Sequence, residues 1–169
     1  TGSPPAIGKA PAKTAQSATG KVTPPGDSDV LEEESPPYEV RLESMVEALV
    51  QGRDRRAAAG LAALRHEFPE RAAARVLEGV ALERCGNPKQ AMLAYRAALY
   101  LAPEMDEVRF LLARVLEGQG RSRAAAREYR TALTGLGPAD GFMAAILERL
   151  GFPDTHQMIE MCREILKCK

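Results

Sequence analysis

Residues 86–120 read GNPKQAMLAYRAALYLAPEMDEVRFLLARVLEGQG, and the interval between the first and last glycine decides the fold. Gly52 precedes Gly86 by the same 34 residues that separate Gly86 from Gly120. Other columns keep this interval: Ala57, Ala91 and Ala125; Leu61, Tyr95 and Tyr129; Leu64, Ala98 and Ala132. Pro69 recurs as Pro103, and Gly137-Pro138 takes the next place. Leu82, Arg96 and Leu99 return as Leu116, Arg130 and Leu133. Before the first glycine, Leu42, Met45, Val46 and Leu49 fall at i, i+3, i+4 and i+7, the stripe of an amphipathic helix. The same spacing returns at Val76, Val80 and Ala81 and at Phe110, Ala113 and Leu116. Glycine permits the left-handed turn that ends a helix, and a proline beyond the second helix stops it. The unit is a helix, a tight turn and a second helix, present three times.

A helix–turn–helix repeated every 34 residues resembles the tetratricopeptide repeat (TPR) family. The resemblance covers residues 38–139 in three units, 38–71, 72–105 and 106–139. It implies an all-α fold, a TPR α-solenoid of three helix–turn–helix repeats. The small alanine column would let the second helix approach the first, and Leu61, Tyr95 and Tyr129 would fill the gap between units. Two departures stand out. The bulky aromatic usual early in the first helix is replaced by Arg41, Arg75 and Arg109, and the small residue usual in its middle is Met45 in the first unit.

Composition agrees with this fold class. The 169 residues include 28 alanines, no Trp, four Phe and four Tyr, so the core is built from Ala and Leu. Alanine is the strongest helix former, which argues against a β fold. Lys+Arg and Asp+Glu both total 23, a balance unlike that of a basic nucleic-acid module. No apolar run reaches the length of a membrane span. Cys85, Cys162 and Cys168 lack metal-type spacing, and their odd number points to free thiols and a cytoplasmic setting. No signal peptide is visible, and the chain reads as a piece of a longer protein.

Residues 1–37 hold seven of the twelve prolines among Ala, Gly, Ser, Thr and Lys, and turn acidic at Asp27, Asp29 and Glu32–Glu34. Without apolar periodicity such a segment is expected to be a disordered linker. After the repeats, residues 140–169 break the period. Asp140 is positioned to cap a helix running to about Leu150, and Asp154–Gln157 reads as a capping box opening a last helix to about Lys167. Its apolar residues are Met158, Ile159, Met161, Cys162, Ile165 and Leu166. These two helices are expected to cap the last exposed face of the solenoid.

No enzyme constellation emerges. His66 and His156 are far apart in sequence, and Gly118-Gln-Gly120 and Gly135-Leu-Gly137 follow helices rather than strands, so they are turns and not phosphate loops. The sequence calls for no catalytic residue, cofactor or metal. Two surfaces are candidates for a protein or peptide partner. One is a groove lined by first-helix residues: Leu42, Val46 and Leu49; Val76, Val80 and Glu83; Phe110, Arg114 and Glu117. Apolar at one end, with one arginine, it suits an amphipathic helix; the chain's own segments are the competing occupant. The other is a basic edge of Arg53, Arg55, Arg56, Lys89, Arg121 and Arg123 around the glycine turns. The opposite edge is acidic, with Glu67, Glu70, Glu104, Asp106, Glu107 and Asp140.

One stretch narrows the resemblance. Ala98–Pro103, Phe110–Ala113, Gly120-Arg121 and Tyr129–Leu133 resemble the phrases "ALYL-x-P", "F-x-LA", "GR" and "(F/Y)R-x-AL" of the repeats that follow some CheR-type chemoreceptor methyltransferases, the frizzy-system type of gliding myxobacteria among them. That resemblance implies a separate catalytic domain using S-adenosylmethionine. These repeats would regulate it by binding a chemoreceptor segment or the catalytic domain. The alternative is a generic repeat adaptor in pilus, secretion or other multiprotein assembly.

Overall fold

The computed structural model describes residues 36–137 and 141–168. The expected disordered linker therefore lies outside the described residues, apart from Pro36 and Pro37. Among the described residues there are eight α-helices and no strand: α1 (Tyr38–Val50), α2 (Asp54–Glu67), α3 (Ala72–Arg84), α4 (Pro88–Leu101), α5 (Asp106–Gly118), α6 (Ser122–Gly135), α7 (Phe142–Arg149) and α8 (Thr155–Lys167). Helices α1/α2, α3/α4 and α5/α6 form pairs, α2 packs on α3 and α4 on α5, and α8 lies along α6 and touches α5.

The glycine columns act as the period requires. Gly52, Gly86 and Gly120 have φ of 70°, 76° and 70°, the left-handed region. The residue after each donates its N–H back into the finished helix: Arg53 to the Ala48 carbonyl, Asn87 to Leu82 and Arg121 to Leu116. The glycine N–H groups bond to Leu49, Glu83 and Glu117. This paired pattern satisfies carbonyls that the helix end would otherwise leave open.

Close packing of first on second helix rests on a small residue facing a large one. Ala57, Ala91 and Ala125 are wholly buried, as are Leu61, Tyr95 and Tyr129. A Cβ added at Gly79 would stand 2.4 Å from Tyr95 Cε1, so the ring of Tyr95 lies directly on the α3 backbone. In the first repeat the sizes are exchanged. Met45 occupies the place of Gly79, and its sulfur sits where a Cβ on Gly60 would be, at 2.2 Å. The large residue has moved from the second helix to the first, which accounts for one departure from the repeat pattern. The other, the early arginine, ties the second and third repeats back to the one before, and in the first repeat it ties the two helices of the pair together. Arg75 donates to the Pro69 carbonyl at 3.1 Å, Arg109 to that of Pro103 at 2.8 Å, and Arg41 pairs with Glu67.

The C-terminal helices differ in how they begin. Gln157 N–H donates to Asp154 Oδ1 at 2.8 Å and Asp154 N–H to Gln157 Oε1 at 3.2 Å, a complete capping box on α8. Helix α7 starts after Gly141 with no side-chain cap, and Asp140 lies outside the described residues.

Because the ring of Tyr95 leaves no space over Gly79, Gly79→Ala is expected to destabilise the chain by about 1–3 kcal/mol through overpacking. Tyr95→Ala is expected to cost about 3 kcal/mol or more through the cavity left. Urea unfolding followed by helical circular dichroism measures both, and a loss below about 1 kcal/mol for Tyr95→Ala would mean that the ring faces solvent.

Candidate protein-binding face

The nine groove candidates form three columns at the repeat interval on the first helices α1, α3 and α5: Leu42/Val76/Phe110, Val46/Val80/Arg114 and Leu49/Glu83/Glu117. Their chemistry splits. Leu42, Val46, Leu49, Val76, Val80 and Phe110 are 0–3% exposed and belong to the hydrophobic core. Phe110 packs edge-on against Tyr129 at 5.8 Å between ring centroids. The polar members remain partly open. Arg114 lies 3.5 Å from Glu83, with their side chains 35% and 25% exposed. Tyr95 donates its hydroxyl proton to Glu83 at 3.0 Å, and Tyr129 donates to Glu117 at 3.1 Å.

Of the two occupants left open for the groove, a partner helix or a segment of the chain itself, the chain's own segment lies at its apolar end. Helix α7 carries Met143, Ile146 and Leu147, followed by Leu150, at i, i+3, i+4 and i+7, and all four are buried in the same core as the groove columns. Its C-terminal end is tied to α1 and α3. Arg149 pairs with Glu43 at 2.7 Å. Arg84 donates one N–H to the Leu49 carbonyl at 2.9 Å and another to the Leu150 carbonyl. The guanidinium of Arg114 stands over the ring of Phe152, 5.4 Å from its centre. Gly151, at φ 82°, turns the chain toward α8.

Arg84, Glu43, Arg149 and Phe152 escaped the sequence reading. The sequence marked a helix running to about Leu150, but nothing local marks where it docks. Phe110 also changes role, from a candidate anchor for a partner to a core residue.

The edges are asymmetric. Arg53, Arg55, Arg56, Lys89, Arg121 and Arg123 are all exposed, and among the described residues none has an ion-pair partner. On the acidic edge Glu67 pairs with Arg41 and Asp106 with Arg109, so much of that charge is internally matched. His66 and His156 are exposed on α2 and α8. No group of three metal-capable side chains occurs among the described residues, and no helix there is long and apolar enough to cross a membrane. The three cysteines are free thiols.

No protein-family model and no curated protein matches the sequence. Solved structures do share the fold. They include the Yersinia enterocolitica type III secretion chaperone SycD in complex with a peptide of the translocator YopD, 17% identical over 82% of this chain and 99% of that one, TM-score 0.62. PcrH in complex with the chaperone binding region of PopD is 15% identical over 77% and 88%, TM-score 0.62. MamA is 18% identical over 82% and 83%, TM-score 0.59. The fold is a TPR-like α-solenoid. At these identities the likeness is one of architecture.

Three buried groups make this architecture sensitive to alkali. Burial pushes the Cys162 thiol up to about 11. Burial, then the neighbouring Glu83 carboxylate, raises Tyr95; burial, then the hydrogen bond to Glu117, raises Tyr129. Each stays protonated in the folded chain at a pH where the unfolded chain ionises. Their contribution to stability is therefore complete below the unfolded values, about 8.5 for Cys and 10 for Tyr, and is lost as pH rises toward the folded ones. The urea midpoint is expected to fall from about pH 9 upward. Cys162→Ala should delay the onset of the fall toward pH 10; a profile identical to that of the unsubstituted chain would show that Cys162 ionises normally when folded.

Proposed function

We propose that this chain is a non-catalytic protein-interaction module, an adaptor or chaperone-like scaffold that receives an amphipathic segment of a partner protein on the inner face of its repeats. One observation carries the reading: the first-helix columns already hold one amphipathic helix, α7, whose C-terminal end is tied to Glu43 and Arg84, beside the partly open Glu83 and Arg114. Such a surface recognises anchors at i, i+3, i+4 and i+7, and the buried stripe of α7 has that spacing. Support also comes from the neighbours of like fold: SycD was solved with a peptide of the translocator YopD, and PcrH with the chaperone binding region of PopD. A place in secretion or another multiprotein assembly fits this reading.

A role beside a CheR-type methyltransferase has weaker support. Of the residues that carry that resemblance, Tyr100, Leu101, Arg121 and Arg130 are exposed, but Ala98, Leu99, Phe110, Leu112, Ala113, Tyr129 and Ala132 are buried packing residues. Any helix-pair repeat needs such residues whatever it binds, so they say little about the partner.

Selection of a random helical peptide library on the full chain tests the proposal. Selected peptides are expected to share apolar anchors at i, i+3, i+4 and i+7. Arg114→Glu, which sets a third carboxylate beside Glu83 and Glu117, is expected to weaken their binding about tenfold or more, the scale of a lost charge-assisted contact. Arg121→Glu with Arg123→Glu should leave it unchanged. The opposite pattern would move the binding surface to the basic edge.

A further inference from the structure

Resting on the reading of the inner face as the binding face, we infer that α7 and the turn after it are a built-in ligand of that face. A partner helix bearing the same pattern displaces it: apolar at i, i+3, i+4 and i+7, with a cation at i+6.

The pattern is that of the segment in place. Met143, Ile146, Leu147 and Leu150 supply the buried anchors, and Arg149 supplies the cation, paired with Glu43 on α1. Glu47, one turn along α1, adds a second carboxylate that acts on Arg149. A partner's lysine or arginine at the same place would meet the same two acids. The carbonyl end of the guest helix has its own receptor in Arg84, which already holds the Leu150 carbonyl. Inner-face side chains on three stacked helix pairs would stand open without a cover. The cover here is one short amphipathic helix and its turn, tied to α1 through Arg149, to α3 through the Leu150 carbonyl and to α5 through Phe152.

Several features make this cover removable. Helix α7 has eight residues, too few to persist as a helix without its docking surface. It starts without a side-chain cap. Its polar ties are half in solvent, with Arg149 and Glu43 46% and 54% exposed, and Phe142 on its outer side is 67% exposed. Helix α8 does not depend on it: α8 packs on α6 and α5, burying Met158 and Cys162, and keeps its own capping box. Release of α7 would free residues 141–153, while α8 stays packed on α6 and α5 and continues to close the end of the solenoid. A tethered ligand competes at an effective concentration near millimolar, so the occupied face admits a strong partner and excludes weak ones.

Two measurements on the full chain decide the point. Amide hydrogen exchange on the unsubstituted chain should show residues 145–152 exchanging about tenfold or more faster than the protected amides of α1–α6, with α8 remaining protected. Exchange of α7 at the rate of the slowest core amides would overturn the inference, because α7 would then leave only on global unfolding. In the second, a fluorescent peptide of residues 141–153 is added in trans. It should bind the Ile146→Ser, Leu147→Ser chain about tenfold or more tightly than the unsubstituted chain. The same peptide carrying both serines should not bind. If selected library peptides bind while α7 exchanges with the core, the displacement mechanism fails and the binding face stands. If neither the α7 peptide nor any selected peptide binds the face, the reading of the face itself fails. Exchange of α7 between two copies, seen as a concentration-dependent dimer of the unsubstituted chain, would make the occupant a second copy and also overturn the inference.

Discussion

The ring of Tyr95 lies on the bare backbone of Gly79, and from that contact follow both the spacing of the helices and the chemistry of the inner face. A wholly buried tyrosine has to satisfy its hydroxyl, and Tyr95 does so by donating to Glu83. That bond holds Glu83 beside Arg114 of the next repeat. Tyr129 and Glu117 repeat the device 34 residues later. Packing and recognition are thus coupled: the residue that fills the gap within a repeat also fixes a carboxylate on the surface offered to a partner. Where the first repeat lacks the tyrosine, with Leu61 in its place and Met45 filling the space from the other side, the inner face has Leu49 instead of a glutamate. The apolar and polar ends of the face trace back to this exchange of size across one helix contact.

An apolar inner face creates a difficulty for a chain of only three repeats. Open to water, Leu42, Val46, Val76, Val80 and Phe110 would form a contiguous patch of the kind that drives association. The chain covers it with α7, an intramolecular solution that costs little chain entropy because the segment is tethered at both ends. Helix α8 meets the separate problem of the terminal face. Self-coverage and partner binding draw on one set of contacts, so the strength of the cover sets the threshold for a partner.

The two edges show why charge in a sequence needs its neighbours before it has meaning. Asp106 and Glu107 at the start of α5 suit the helix dipole, and arginines take up Asp106 and, at the end of α2, Glu67. The basic residues around the glycine turns have no such partners among the described residues, and Arg53 and Arg121 stand just before α2 and α6 without a side-chain capping bond. Both edges were readable as alternating ridges; which of them carried unmatched charge emerged only when the side chains were placed.

The interval of 34 residues by itself determined the helix pairs, the left-handed glycines and the buried tyrosines, because each of those depends on residues close in sequence, within one repeat or at its junction with the next. Local spacing likewise sufficed for the capping box of α8 and for a helix ending near Leu150. The destination of α7 was decided only in three dimensions. Arg149 meets Glu43 across 106 residues and Arg84 reaches Leu150 across 66, and no periodic pattern records such pairings. An apolar stripe states that a helix will bury one side; it does not state against what. The candidate site was therefore half legible. Its columns could be counted out along the chain, but their burial depended on a helix outside the repeat, whose docking satisfies Arg84, Glu43 and the exposed apolar face together.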